Sequence, residues 1–112
     1  MKKTLVFVGI LLLIACGTAK KVTLTQADID RAGKTYPGIT TAELSEGKAI
    51  FEGNCNQCHS LKKPASKSEE QLEKIVPRMV GKVNRRADKE VIDEKAKETL
   101  LKYLVVMRAS YK

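Results

Sequence analysis

The chain has 112 residues, enough for one domain and a leader but too few for two independent hydrophobic cores. Lys and Arg number 21 against 13 Asp and Glu, a formal net charge of +8, with three Tyr, two Phe, no Trp, one His and three Cys. One His excludes a His-rich metal site, and three Cys exclude a scaffold held by several disulfides. So few aromatic residues leave little apolar bulk for a core made of side chains alone.

The first fifteen residues predict an export signal. Two lysines follow Met1, and residues 5–15 are apolar apart from Gly9. Eleven residues of helix cover roughly 16 Å, about half of a bilayer core, so the run is too short to span a membrane. A charged start followed by an apolar run of this length is typical of a secretory signal peptide.

The end of this run, Leu-Ile-Ala-Cys, resembles a bacterial lipobox with cleavage before Cys16 and acylation of its thiol. The alternative is an ordinary signal peptide with an incidental Cys. Because Cys16 follows a small residue directly, we expect a lipoprotein signal peptide over residues 1–15. The mature protein is then anchored to a membrane outside the cytoplasm, on the periplasmic side.

Residues 16–39 are expected to form the lipid anchor and a tether, with a short helix starting at Thr25 and a turn at 36–38. The domain is expected over residues 40–112. Thr40, with Glu43 three positions later, predicts the start of a helix from about 41 to 52, and Gly53 is expected to end it.

A second helix is predicted from Ser68 and a third from Asp93 to about residue 108. Pro77 is expected to kink or end the second helix, and residues 81–86 to form a basic turn. Apolar positions at helical spacing are Leu72, Ile75, Val76, Met79 and Val80 in the second helix, and Ala96, Leu100, Tyr103, Leu104 and Met107 in the third. No segment alternates with period two, so the fold class is predicted to be all-α.

The sequence Cys55-Asn-Gln-Cys58-His59 is C-x-x-C-H, the attachment signature of c-type haem. Two thiols at this spacing can bond the two vinyl groups of one porphyrin, and the adjacent imidazole can then bind the iron. Three alternatives use the same residues: a thiol redox pair, a small structural disulfide, or a zinc site with three local ligands. The export signal and the low aromatic content favour haem.

The segment Leu44-x-x-Gly47-x-x-Ile50-Phe51-x-x-x-Cys55-x-x-Cys58-His59, together with Lys102-Tyr103-Leu104, resembles the bacterial class I monohaem cytochrome c family. The resemblance covers residues 44 to about 104. It implies a small helical domain wrapped around one covalently attached haem c, with Gly47 and Phe51 packed against Tyr103 of the last helix.

The family usually binds iron with a Met opposite the His. Met79 is the expected sixth ligand, with Met107, a Lys or an open position as alternatives. Met79 follows a Pro-disrupted region, where its side chain is expected to turn away from the helix's packing face. Met107 is interpreted as part of the core or a helix cap.

The resemblance also implies that a Pro carbonyl accepts the Nδ1–H of His59, and Pro64 is the nearest candidate. Leu61, Leu72, Val76 and Val80 are expected to line the haem pocket, although ordinary core positions would show the same pattern.

Residues 74–86 contain five basic residues and no acidic one, and Lys62 and Lys63 follow the haem motif. Such a field would steer redox partners that have acidic docking faces. A solvated basic face, or one drawn to anionic lipid, is the alternative. Nucleic acid is not expected as a partner, because no aromatic residues are interleaved with these charges.

The sequence therefore predicts an electron carrier rather than an enzyme: a membrane-anchored monohaem c-type cytochrome that passes single electrons between extracytoplasmic partners. Two alternatives remain. One is a haem-based sensor or small-ligand binder with a labile sixth ligand, and the other is a thiol redox protein that uses Cys55 and Cys58.

Overall fold

The computed structural model describes residues 22–55 and 64–111, and these segments are helical without any strand. The elements are α1 (Gln26–Thr35), α2 (Thr41–Ile50), a π-helical turn (Phe51–Cys55), a 3₁₀ turn (Pro64–Ser66), α3 (Glu69–Ala87), α4 (Glu94–Met107) and a final 3₁₀ turn (Arg108–Tyr111). The predicted all-α class is confirmed for this part of the chain. No described helix is long and apolar enough to cross a membrane.

Each helix begins at a side chain that accepts a hydrogen bond from the third backbone N–H of its first turn. These N-caps are Thr25, Thr40, Ser68 and Asp93. At Thr25 and Ser68 the return bond from the third helical residue is also present, so both form complete capping boxes. The four predicted helix starts are therefore confirmed, because local side-chain bonds determine them.

Helix α4 is the centre of the structure, and α1, α2 and α3 each pack against it. All of its positions from Tyr103 to Met107 are buried. The core residues facing it include Leu44 and Phe51 from the α2 side and Leu72, Val76, Met79 and Val80 from α3.

Gly47 determines how closely α2 approaches α4. A Cβ at this position would lie 2.5 Å from Tyr103 Cβ and 2.9 Å from the backbone oxygen of Thr99. Backbone of a packed helix cannot move aside cheaply, so only Gly permits this crossing. The contact of Gly47 with Tyr103 that the resemblance implies is confirmed.

We expect Gly47→Ala to destabilise the protein by about 1–3 kcal/mol, because the added methyl forces α2 and α4 apart. The matched control is Gly33→Ala on α1, where nothing lies within 4 Å of the new Cβ. That variant should be more stable by about 0.5–1 kcal/mol, because Ala favours helix. Urea unfolding followed by circular dichroism measures both; a Gly47→Ala variant as stable as the unaltered chain would contradict the close approach.

The structure moves the start of the packed region from the expected residue 40 to Val22. Val22 and Ala32 are buried in the core. Arg31 ties α1 to α4, since its Nε donates to the Val106 carbonyl at 3.1 Å while its Nη2 lies 2.7 Å from Asp28 Oδ1. Composition alone suggested a tether here because α1 buries only a narrow stripe of a mostly polar helix.

The structure excludes two expected helix ends, the one at Gly53 and the one that was the alternative to a kink at Pro77. The chain does not end its helix at Gly53 but continues through the π-helical turn to Cys55. Helix α3 continues past Pro77 to Ala87, so the expected basic turn at 81–86 is helical. Pro77 removes one backbone hydrogen bond, to the carbonyl of Glu73, and both residues are exposed, so this loss falls on the solvent side of the helix.

Candidate functional site

The predicted site residues divide into two groups. Cys55, Pro64, Leu72, Val76, Met79 and Val80 are described, and all six are buried. Cys16, Cys58, His59 and Leu61 lie outside the described residues, as do Lys62 and Lys63. Burial of the four α3 residues fits a pocket wall and equally fits an ordinary core.

The π-helical turn delivers Cys55 to the protein interior. Phe51 begins this turn with its N–H shared between the carbonyls of Gly47 and Lys48, and Asn54 Nδ2 donates to the Ile50 carbonyl at 3.1 Å. Isolated π-helical turns of this kind are rare and frequently occur at functional sites. The wider turn buries Cys55 completely. Sequence reasoning missed it because the pattern of this segment also fits an ordinary helix end.

Met79 lies inside an unbroken helix, on the same buried face as Val76 and Val80. The expectation that Pro77 would free its side chain from the packing face is therefore wrong, since α3 is not interrupted. An inward direction still suits a ligand, because the iron of an enclosed cofactor is reached from inside the fold.

Met107 has a different environment. It is completely buried at the end of α4, and Arg31 Nη2 lies 3.8 Å from its sulfur. Its interpretation as part of the core is confirmed. The guanidinium and helix α1 cover this thioether from one side.

A surface cleft of about 300 Å³ adjoins the turn that carries Cys55. Its described walls are Gly53 and Asn54 of the turn, Lys82, Val83, Arg86 and Ala87 of α3, and Val91. This volume is at the lower end of the range for cofactor and ligand sites. Val91, 45% exposed, is the large apolar side chain most open to solvent in the described segments.

The described residues agree in chemical type with a covalently attached porphyrin. A buried Cys begins the motif, and apolar side chains and the Met79 thioether are buried on α3. The cleft beside the π-helical turn is lined by later residues of α3, and these buried side chains are not among its walls. Within residues 22–55 and 64–111 no group of three or more His, Cys, Asp or Glu side chains is placed to hold a metal ion.

Three aromatic rings pack together at the start of the π-helical turn, which Phe51 begins. Phe51 lies 6.2 Å from Tyr103 and 5.2 Å from Tyr111 between ring centroids, the latter edge to face. The hydroxyls of Tyr103 and Tyr111 are hydrogen-bonded to each other. The Phe51–Tyr103 contact was expected from the resemblance; the role of Tyr111 was missed because it lies beyond the predicted last helix.

Burial raises the pKa of Tyr103 well above its ordinary value of 10.0, and the hydrogen bond to Tyr111 and the charge of Glu52 act in the same direction. Burial also raises the pKa of Tyr111, although its bond with Tyr103 lowers it in part. Both hydroxyls therefore stay neutral in the folded protein at physiological pH. Because the folded state favours the neutral form of both hydroxyls, their contribution to the free energy of unfolding is fully present below the unfolded pKa of about 10. That contribution is lost as pH rises towards the pKa values of the folded state.

We expect Tyr111→Phe to cost about 1–3 kcal/mol, because it removes the described partner of the buried Tyr103 hydroxyl. The double variant Tyr103→Phe/Tyr111→Phe should recover part of this loss, because neither hydroxyl is then left unpaired. Urea unfolding at neutral pH gives both values. Strictly additive losses would contradict a coupled pair.

Asn84 holds the turn between α3 and α4. Its Oδ1 accepts from the backbone N–H groups of Val91 and Ile92, both at 3.0 Å, and its Nδ2 donates to the Ile92 carbonyl at 2.9 Å. Helix α3 ends at Asp88 in the left-handed conformation, with φ of 53°. Asn84 fixes the angle between the helix that bears Met79 and the central helix α4, a role no sequence pattern indicated.

The basic residues of α3 form a stripe along one exposed face. Its members are Lys74, Arg78, Lys82, Arg85 and Arg86, and all are exposed. Spacings of three and four residues place them on neighbouring turns of one helix side. Lys74 is paired with Glu70 at 2.8 Å. Because Lys82 and Arg86 also line the cleft, the stripe leads to the turn that carries Cys55.

In comparisons with protein-family models, curated proteins and solved structures, the chain matches none of them.

Proposed function

We propose that the protein is a monohaem c-type cytochrome, an electron carrier anchored in a membrane through a lipidated Cys16. The observation that carries the proposal is the C-x-x-C-H motif, together with the burial of its first Cys at the end of a helix packed on α4. This arrangement would present the thiols of Cys55 and Cys58 to one porphyrin and His59 to its iron.

The chain's own residues would have distinct roles. Cys55 and Cys58 hold the group covalently, His59 ligates the iron, and Met79 is the proposed sixth ligand. The carbonyl of Pro64, which follows the motif and is buried, is the proposed acceptor for the His59 Nδ1–H. Leu72, Val76 and Val80 would keep water from the group.

The bound haem supplies an iron that gains or loses one electron. A carrier makes and breaks no substrate bond, so it needs no general acid or base. The same two ligands in both oxidation states would keep the structural change on electron transfer small. Thioether ligation raises the reduction potential relative to a second imidazole.

The first test is the visible spectrum of protein matured in a host that attaches haem c, compared between Met79→Leu and Met107→Leu. Leu preserves apolar volume, so both variants should fold. We expect the unaltered chain and Met107→Leu to show a sharp reduced α-band and the thioether–iron absorption of the oxidised form, and Met79→Leu alone to lose both. Survival of that absorption in Met79→Leu would contradict the ligand assignment.

Two alternatives give different results in the same material. A haem-based sensor binds carbon monoxide at once in the unaltered protein, whereas a six-coordinate carrier does not bind it rapidly. A thiol redox protein would be colourless although folded. The buried position of Cys55 disfavours the thiol alternative, because a reactive thiol needs access to its partner.

The basic stripe supports partners with acidic docking faces. A positive field beside the cleft raises the encounter rate with negatively charged molecules and makes that rate fall as ionic strength rises.

We expect Lys82→Glu/Arg86→Glu to slow oxidation of the reduced protein by anionic hexacyanoferrate(III) about tenfold at low salt and to speed oxidation by a cationic complex. The control, Lys34→Glu/Lys95→Glu, changes the net charge equally on exposed positions of α1 and α4. Stopped-flow absorbance measures the rates. If both double variants slow oxidation by hexacyanoferrate(III) equally, the rate depends on the net charge of the protein and not on the basic stripe.

A further inference from the structure

The chain enters the folded unit beside the end of α2 that carries Cys55. Thr23 and Leu24 share a surface cleft with Lys48 and Glu52. Glu52 belongs to the π-helical turn and precedes Cys55 by three residues, about 5 Å at the usual helical rise. The entry point and the proposed haem-attachment turn therefore lie at one end of the same helix.

The tether before this point is short. Six residue steps separate Cys16 from Val22, which is already buried. A fully extended chain spans at most 3.3–3.6 Å per residue, so the two residues lie within about 21 Å of each other in any conformation. If the tether reached to residue 39, as composition suggests, the maximum distance from Cys16 to the start of the packed region would be about 80 Å.

We propose that this juxtaposition holds the haem-bearing end of the domain at the bilayer surface, and that the redox partner is a membrane-embedded protein whose electron-transferring group lies at that surface. The inference rests on the proposed function, because it needs the haem on Cys55 and the lipid on Cys16. The rate of electron transfer falls steeply with distance. A short tether would keep the haem edge near the bilayer surface, where the electron-transferring group of a membrane-embedded partner would lie.

Charge is consistent with this partner. Thr23 and Leu24, where the chain enters the folded unit, lie beside α2, whereas the basic residues of the stripe on α3 are exposed. They remain open to an acidic face of a neighbouring protein. The alternative redox partner is a dissolved carrier that collects electrons away from the membrane, and the experiment distinguishes it from a membrane-embedded partner.

The experiment raises the domain from the bilayer in the lipidated, haem-loaded full chain, reconstituted into vesicles. A helical spacer of four Glu-Ala-Ala-Ala-Lys repeats is inserted between Lys21 and Val22, which adds about 30 Å where it is helical. The matched control carries the same spacer after Lys112, so size and charge are equal.

The first measurement is quenching of a fluorescent headgroup lipid by the haem. We expect strong quenching by the unaltered chain and by the control, and at least threefold weaker quenching by the variant with the spacer before Val22. Equal quenching by the two spacer variants would overturn the placement of the haem end at the bilayer.

The second measurement is the rate of electron exchange with membranes of the source organism stripped of this protein. We expect the spacer before Val22 to slow this exchange at least tenfold, and to leave exchange with dissolved hexacyanoferrate unchanged. If the spacer before Val22 weakens quenching but leaves electron exchange with the membranes unchanged, the proposal of a membrane-embedded partner is wrong and a dissolved partner is favoured. Absence of haem bands in the unaltered chain would overturn the proposed function itself, a result that neither of the other outcomes produces.

Discussion

The structure depends on the close crossing of α2 and α4 at Gly47. Because no side chain separates the two helices there, Tyr103 lies against the α2 backbone and Phe51 packs beside the tyrosine one turn later. The same crossing determines where the π-helical turn begins, and so where Cys55 enters the interior. A wider crossing would shift the π-helical turn that carries Cys55 without altering any residue of the motif. The proposed chemistry thus depends on a contact that contains no reactive group.

Apolar bulk is distributed differently from what composition suggested. Few aromatics implied a core in need of a cofactor, yet aliphatic residues of α4 and of α1, which was expected to be part of the tether, fill the side of the bundle around Met107. The aromatic residues instead cluster behind the turn that carries Cys55, where Tyr111 joins Phe51 and Tyr103. The cleft beside that turn lies between it and the C-terminal half of α3. The region around α1 is thus filled by the chain's own side chains, so the composition argument for a cofactor does not apply there.

The parts of the fold that the sequence predicts are those determined locally. Thr25, Thr40, Ser68 and Asp93 cap their helices through bonds that span three residues, and such bonds leave a readable pattern. The missed features depend on distant partners. Arg31 reaches the Val106 carbonyl across 75 positions, and nothing near Arg31 indicates that acceptor. Pro77 did not end α3, and the carbonyl of Glu73 that loses its hydrogen bond belongs to an exposed residue, where water can bind it.

The candidate site follows the same division. Spacing alone makes Cys55, Cys58 and His59 the predicted haem site, because thioether bonds and axial ligation would restrict those residue types to one short segment. The assignment of Met79 needs the fold, since an apolar residue every three or four positions looks alike in a core and in a cofactor wall. Continuity of α3 alters the reasoning for Met79, which stays the proposed sixth ligand. An uninterrupted helix points the thioether inward, and the interior is where a ligand to an enclosed iron must lie. Met107 is also buried, but Arg31 of α1 lies against its sulfur, whereas Met79 lies on α3, the helix whose later residues border the cleft.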